Sequence, residues 1–171
     1  MLGPEQSRQT LTRLFQRQSI TDLAALSAAL ETSSRMSVFR RLSVFGYLSS
    51  YSHAGRYYTL RDIPRFDRDG LWRYQGVCFS RDGSLKATVE RLVEQSDAGR
   101  THSELHVRLQ VRVHNTLLDL VEGRHIGRET VRGHYLYVSA NPARAESQLI
   151  LRQQQPAGPV QSPPESPATV V

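Results

Sequence analysis

The sequence predicts an α+β protein that is mainly helical and consists of two similar units in tandem. Three observations predict this fold class. Apolar residues recur at spacings of three and four along six segments, which is the period of an amphipathic helix. Each set of three such segments is followed by two β-rich runs around a glycine-containing turn. The pattern of the first half then returns 78 or 79 residues later, which is typical of an internal repeat.

The repeat aligns four blocks of mainly apolar residues in the same order. In the first two blocks, Leu11, Leu14, Phe15, Asp22, Leu26 and Leu30 correspond to Val89, Leu92, Val93, Thr101, Leu105 and Leu109. In the last two blocks, Val38, Leu42, Phe45, Leu48, Gly55, Tyr57 and Leu60 correspond to Val113, Leu117, Leu120, Ile126, Gly133, Tyr135 and Val138. The offset falls to 75 in the third block, which indicates a short deletion before it and an insertion after it.

Each element of the first half has its own local signal. Asp22 and Ser34 are side chains that accept hydrogen bonds at helix starts, and Gly46 stands where a glycine ends a helix. The sequence Ser-His-Ala-Gly separates two β-rich runs and predicts a hairpin. The predicted elements are a helix over about Gln9–Gln18, a helix from Leu23 to Leu30, a helix from Ser34 to Phe45, and strands Tyr47–Tyr51 and Arg56–Leu60.

The second half repeats these signals. Ser84 begins one predicted helix, and Thr101 with Glu104 forms a capping box for the next. Asn141 followed by Pro142 predicts the start of a last helix. The predicted elements are helices from Ser84 to about Ser96, from Thr101 onward and over about Arg112–Glu122, strands Ile126–Val131 and His134–Ser139 around Arg132-Gly133, and a helix to about Arg152.

These signals divide the chain into six segments. The polar loop Arg61–Gly70 and one strand over Leu71–Phe79 join the halves, and we expect that strand to pack them together. The last segment is rich in Gln, Pro and Ser and contains no aromatic residue, which predicts disorder. In order, the segments are 1–9 (flexible), 10–62 (first unit), 63–80 (linker with strand), 81–140 (second unit), 141–153 (C-terminal helix) and 154–171 (disordered, Pro-rich).

Three helices followed by a hairpin, together with the run Ser34–Leu42 and the following Gly46-Tyr47-Leu48, resemble the winged helix-turn-helix family of bacterial DNA-binding proteins. The resemblance covers about residues 9–139. The tandem arrangement is similar to plasmid initiators and to the kleisin-binding accessory subunit of bacterial condensin. The resemblance implies two tandem winged helix-turn-helix units with hairpin wings. It also implies a double-stranded DNA binder, either a sequence-specific transcriptional regulator or an accessory DNA reader of a mobile element.

Charge and helical geometry favour DNA contact by the first half. Ser34–Arg61 holds five arginines and no Asp or Glu. At about 100° per residue, Arg40 points away from the apolar face formed by Val38 and Leu42, as a major-groove contact would. The candidate DNA-binding residues of this half are Ser34, Arg35, Met36, Ser37, Arg40, Arg41, His53 and Arg56.

The second half leaves two interpretations open. Arg112, Asn115, Arg128 and Arg132 are candidate DNA contacts, because Asn pairs with adenine and Arg with guanine or phosphate. Asp119 lies on the same side of the predicted helix as Asn115, where its negative charge would be repelled by DNA phosphates. Leu118 and Val121 also widen the apolar stripe. The second half is therefore either a second DNA reader or an assembly surface. The assembly surface would serve a homodimer or a partner protein through this unit and the C-terminal helix, as in a condensin-accessory-like scaffold.

Several other classes of function are disfavoured. The chain contains no Gly-rich phosphate loop and no Gly-x-Ser-x-Gly, so we expect no enzymatic activity and no cofactor. Asp67–Gly70 is interpreted as a plain turn, His102 and His106 as histidines flanking a helix rather than metal ligands, and Cys78 as a core residue. The absence of a signal-peptide pattern and of a long apolar run predicts a cytoplasmic protein without membrane contact. The expected DNA binding would make it nucleoid-associated.

Overall fold

A computed structural model describes residues 1–155 of the 171. The chain divides into two compact units, Met1–Thr88 and Val89–Val171. Both are α+β, with helices and small antiparallel sheets, so the predicted fold class with short β-hairpins is confirmed. Gln154 closes the last helix, and residues 156–171 of the segment predicted to be disordered lie outside the described residues.

The first unit begins with three helices that surround one apolar core. They are α1 (Pro4–Arg17), α2 (Leu23–Leu30) and α3 (Arg35–Phe45). Asp22 accepts a hydrogen bond from the Ala25 N–H at 2.9 Å and Ser34 accepts one from the Ser37 N–H at 3.2 Å, so both predicted caps are confirmed. The core lies between the helices and the sheet and contains Leu11, Leu14, Phe15, Leu26, Leu30, Val38, Leu42, Tyr58 and Leu60.

A three-stranded antiparallel sheet closes this core. Its strands are β1 (Thr21–Asp22), β2 (Tyr47–Ser49) and β3 (Tyr57–Leu60), in the order β1-β3-β2. The predicted hairpin is confirmed, with Tyr47 opposite Leu60 and Ser49 opposite Tyr58. The strand β1 was not predicted, because its two residues leave no periodic signal and Asp22 is also the cap of α2.

The first helix starts earlier than predicted. The sequence suggested a frayed segment over residues 1–9, but α1 begins at Pro4, with Gly3 as its N-cap. Proline suits the first helical position because its missing N–H has no helical partner there. The Gln6 side chain accepts a hydrogen bond from the Gly3 N–H, and the buried Ser7 hydroxyl donates to the Leu2 carbonyl.

The segment predicted as one strand over 71–79 is a hairpin. Its strands are β4 (Leu71–Tyr74) and β5 (Val77–Ser80). Gln75 and Gly76 form the turn at φ 51° and 81°. The sequence did not predict this turn, because glutamine is uncommon at positive φ. Val77 and Phe79 pack against Leu48 of β2, so the hairpin belongs to the first unit. In the preceding loop, the Asp67 carboxylate accepts the Asp69 and Leu71 N–H groups, as in an ordinary turn.

The second unit repeats the order of the first. The division between the units falls within α4 (Leu85–Gln95), which is followed by α5 (His102–Leu109), α6 (His114–Glu122), β6 (Ile126–Val131), β7 (His134–Ser139) and α7 (Pro142–Gln154). Ser84 accepts a hydrogen bond from the Ala87 N–H, and the predicted Thr101–Glu104 capping box is present. The predicted hairpin is confirmed over its whole length, with Arg132 and Gly133 in the turn at φ 52° and 83°.

One helix of the second unit is shorter than predicted. The expected helix began near Arg112, but α6 begins at His114 and its N-cap, Val113, has no side chain that can accept a hydrogen bond. Arg112 therefore precedes the helix instead of lying on it. In α3, the residue aligned with Val113 is Val38, which lies one turn inside the helix. The third helix of the first unit thus carries an additional N-terminal turn.

The structure supports the alignment of the two halves. Leu11 and Val89, Leu26 and Leu105, and Val38 and Val113 are all fully buried. The aligned Asp22 and Thr101 are both N-caps, and α2 and α5 both end at residues with positive φ, Glu31 and Gln110. The pairing of Thr21 with Tyr58 also recurs 79 residues later, as an isolated bridge between Arg100 and Tyr137.

The helix α7 is fixed to the second unit by buried polar contacts. Gln148 is fully buried; its side-chain oxygen accepts the Ser139 N–H at 2.7 Å, and its amide nitrogen donates to the carbonyls of Val93 and Ser96 at 2.9 Å each. Arg152 donates two hydrogen bonds to the Glu104 carboxylate, at 3.1 and 2.9 Å. These contacts join α7 to α4, α5 and β7.

Candidate nucleic-acid interface

The two units differ in charge. Met1–Thr88 carries 13 Lys and Arg against 7 Asp and Glu, whereas Val89–Val171 carries 9 of each. The whole formal net charge of +6 therefore belongs to the first unit. A field of this sign attracts polyanions such as nucleic acids and speeds their association.

The outward face of α3 carries a narrow stripe of three side chains. Met36 is 79% exposed, Val44 is 65% exposed, and Arg40 lies exposed between them. Successive members are four residues apart, so at about 100° per residue they fall within a sector of about 80°. The buried Val38 and Leu42 occupy the opposite side of the helix. We call Met36, Arg40 and Val44 the α3 stripe.

The start of α3 also places polar groups at the surface. The Ser34 hydroxyl oxygen accepts the Ser37 N–H, and its proton remains available for donation. Arg35 is exposed and its guanidinium lies 5.1 Å from the centre of the Phe39 ring. This cation–π contact orients Arg35 beside the helix N-terminus, where the helix dipole favours an anion.

Arg41 lies beside Val44, at the edge of the α3 stripe, in a surface pocket that Glu5 and Arg8 of α1 also line. Its Nη2 donates to the Leu2 carbonyl at 3.4 Å, and its buried Nε has no hydrogen-bond partner. The side chain is half-buried. The sequence predicted Arg41 as a DNA contact at the shoulder of the helix, whereas the structure gives it a contact with the segment that precedes α1.

The tip of the first hairpin presents His53 and Arg56 on a constrained loop. His53, Ala54 and Gly55 all have positive φ, and both predicted side chains are exposed. The Arg56 Nε donates to the His53 carbonyl at 3.1 Å, and His53 Nδ1 lies 2.9 Å from Ser52 Oγ. Ser52 Oγ in turn accepts the Cys78 N–H at 2.9 Å. The loop is thereby connected to β5, and Cys78 is a buried structural residue.

The corresponding face of α6 has a different character. Asn115, Asp119 and Glu122 are exposed and share one side of the helix, opposite the buried Leu117 and Leu120. Two carboxylates therefore occupy the side of α6 that corresponds to the α3 stripe. Carboxylates at this place would repel phosphates.

The arginines of the second hairpin make contacts within their own unit. Arg132 donates to the carbonyls of Gln153 and Gln155 at 3.1 and 3.0 Å, and thereby caps the C-terminus of α7. Arg128 lies 4.2 Å from the centre of the Tyr135 ring. Burial raises the pKa of Tyr137, and the charge of the neighbouring Arg128 opposes that shift. Sequence patterns identified both arginines as surface cations and gave no sign of these contacts.

Three histidines gather where α5 and α6 begin. The ring centres of His102 and His106 are 6.3 Å apart, and those of His102 and His114 are 6.5 Å apart. Burial lowers the pKa of His102, and the charges of the two other histidines lower it further. The sequence identified His102 and His106 as a pair but did not place His114 beside them. Within residues 1–155, no group of His, Cys, Asp or Glu is arranged to hold a metal ion.

Comparisons with protein-family models, with curated proteins and with solved structures found no match to this chain. Among the described residues, no helix combines the length and apolar character required to cross a membrane.

Proposed function

We propose that the chain is a double-stranded DNA-binding protein that reads sequence through α3 of its first unit. It would act as a transcriptional regulator or as an accessory DNA reader of a mobile element. The α3 stripe is the observation that carries this proposal. It presents Arg40 on the outward face of a helix, within a segment of 28 residues, Ser34–Arg61, that contains no acidic residue.

The geometry suits the major groove, which is about 12 Å wide and admits one α-helix. Arg40 would donate two hydrogen bonds to the O6 and N7 atoms of a guanine. Ser34, Ser37 and Arg35 at the start of α3 would contact phosphate, and His53 and Arg56 of the hairpin would reach a phosphate or the adjacent minor groove. Phosphate contacts set the register of the helix, whereas Arg40 discriminates between bases.

The charge distribution supports DNA binding by only one of the two units. The first unit carries the whole net charge, and α6 presents Asp119 and Glu122 where α3 presents the α3 stripe. DNA binding that neutralises several phosphates loses affinity steeply as salt rises. We therefore expect a strong salt dependence that arises from the first unit.

Fluorescence-anisotropy titrations test this function. The wild type and Arg40→Ala are compared on a duplex selected from a random pool and on random-sequence DNA, at about 50 and 200 mM salt. We expect Arg40→Ala to lower affinity for the selected duplex by about 1–3 kcal/mol and to affect random DNA much less. Arg124→Ala is the matched control, because it removes an exposed arginine from the second unit. Equal losses on selected and random duplexes would contradict base reading by Arg40.

A protein-interaction scaffold is the second candidate function. Ile150 and Leu151 of α7 are 47% and 43% exposed, and the second unit has no net charge. These features suit a homodimer or partner-protein contact better than DNA. Retention of one stoichiometric partner, without DNA binding at about 150 mM salt, would favour this candidate over the first.

A further inference from the structure

The α3 stripe contains two apolar side chains that the folded first unit leaves exposed. Met36 and Val44 lie on either side of Arg40, one turn before it and one turn after it. They are 79% and 65% exposed, while the core of the unit is complete beneath them. Isolated exposed apolar residues need no explanation. Met36 and Val44 flank the outward arginine on one face of the helix, so a single partner surface can contact all three side chains.

The charges around these two residues identify that surface. The stripe lies within Ser34–Arg61, which contains five arginines and no acidic residue, and the pocket beside Val44 adds one acidic and one basic side chain, Glu5 and Arg8. This excess of arginine favours a polyanion over a protein of mixed charge. In the major groove of DNA, adenine, guanine and cytosine present only hydrogen-bonding groups. Thymine alone adds an apolar group, its 5-methyl. An apolar side chain that faces base edges therefore discriminates in favour of thymine.

We propose that Met36 and Val44 contact thymine methyl groups on either side of the guanine read by Arg40. This inference rests on the proposed DNA-binding function and adds the base composition of the site. Eight residues of helix rise by about 12 Å. Base pairs are about 3.4 Å apart along the duplex axis. Because a helix in the major groove is inclined to the duplex axis, about 12 Å is the upper limit of this separation along the axis, and the two thymines should lie within about four base pairs of each other, on either strand, with a G·C pair between them.

Replacement of thymine by deoxyuridine tests the proposal, because it removes only the 5-methyl group and leaves base pairing unchanged. Anisotropy titrations use the duplex selected by the wild type, with deoxyuridine placed at each thymine in turn. Loss of a buried methyl group should lower affinity about fourfold at the two flanking positions. In Met36→Ala, deoxyuridine at one of the two positions should no longer lower affinity, and in Val44→Ala the same should hold at the other position. Val107→Ala, which truncates a 67% exposed valine of α5, should retain both sensitivities.

The outcomes separate this inference from the function on which it rests. If the wild type tolerates deoxyuridine everywhere while Arg40→Ala still loses its base preference, methyl reading is wrong and DNA reading stands. A selected duplex without two thymines at the expected spacing would also overturn methyl reading. If the wild type binds no duplex at about 50 mM salt, the proposed function itself fails. Exposed-site variants such as Met36→Ala should fold normally, and circular dichroism checks this.

Discussion

The third helices of the two units share a buried side and differ on the outward side. Val38 and Leu42 of α3 align with Val113 and Leu117 at α6, and all four are buried. The outward side of α3 carries the α3 stripe with its single arginine, whereas that of α6 carries two carboxylates. Packing constrains the core side of both helices, and the two units differ on the outward side. Under the proposed function, this difference would place DNA reading in the first unit alone.

The arginines of the two units differ in the same way. On the first unit, Arg40 is exposed, and the exposed Arg56 donates one hydrogen bond, through Nε, to the His53 carbonyl. In the second unit, Arg132 caps α7, and Arg152 pairs with Glu104 and with the carbonyls of Ala98 and Gly99. A guanidinium that already donates to carbonyls has fewer donors left for phosphate. Arg132 and Arg152 thus stabilise the second unit through contacts within it.

The largest effect expected from this difference is on stability. Gln148→Ala should lower the free energy of unfolding of the second unit by about 2–4 kcal/mol, because it leaves the buried Ser139 N–H without a partner and removes one hydrogen bond from each of the Val93 and Ser96 carbonyls. These carbonyls keep their bonds from Ser96 and Arg144. Urea unfolding of the full chain measures it. Trp72, the single tryptophan, lies in β4 and reports on the first unit, while circular dichroism reports on both.

We expect the circular-dichroism transition of Gln148→Ala to move to lower urea while tryptophan fluorescence keeps its midpoint. Gln154→Ala removes an exposed glutamine from the same helix and should change stability by less than about 0.5 kcal/mol. Equal shifts of both probes in the Gln148 variant would show that the units do not unfold independently.

A change of pH should have a smaller effect on the free energy of unfolding of the second unit. The pKa of His102 is lower in the folded protein, so the unfolded chain binds more protons as pH falls below about 6.5. The stabilising contribution of neutral His102 is therefore complete above that pH and decreases as pH falls through the folded pKa. His102→Gln should reduce the change in the free energy of unfolding of the second unit between pH 7.5 and 5.5. Urea unfolding followed by circular dichroism measures this change. An unchanged slope would rule out His102 as its source.

Removal of the negative charges on α6 should have the smallest effect, and the affected quantity is the affinity for DNA. Asp119→Asn combined with Glu122→Gln removes both carboxylates from the face that corresponds to the α3 stripe. Because the first unit alone reads DNA under the proposed function, affinity for a selected duplex at about 150 mM salt should change less than twofold. An increase of fivefold or more would show that α6 approaches phosphates, and the two units would then be similar readers.

Local sequence signals were sufficient for most of the fold. The caps Asp22, Ser34 and Thr101 act through side chains within three residues, and the Arg132-Gly133 turn is equally local. The outward position of Arg40 followed from helical geometry. These features depend on neighbours in sequence, which is why the sequence revealed them.

The features that escaped prediction depend on distant contacts or on uncommon turns. Arg41 bonds to Leu2, and Arg132 bonds to Gln153, across separations that no local pattern encodes. The turn at Gln75-Gly76 places glutamine at positive φ, so one strand was predicted where two are present. For the candidate site, the sequence identified exposed cations but could not tell which of them bind within the protein.

Hydrogen exchange of the full chain with and without a selected duplex tests the central claim most directly. If the first unit alone meets DNA, peptides within residues 34–61 gain protection when the duplex is added. Peptides within residues 110–139, which contain α6 and the second hairpin, exchange at an unchanged rate. Comparable protection of both regions, or protection of the second region alone, would contradict the assignment of DNA reading to α3.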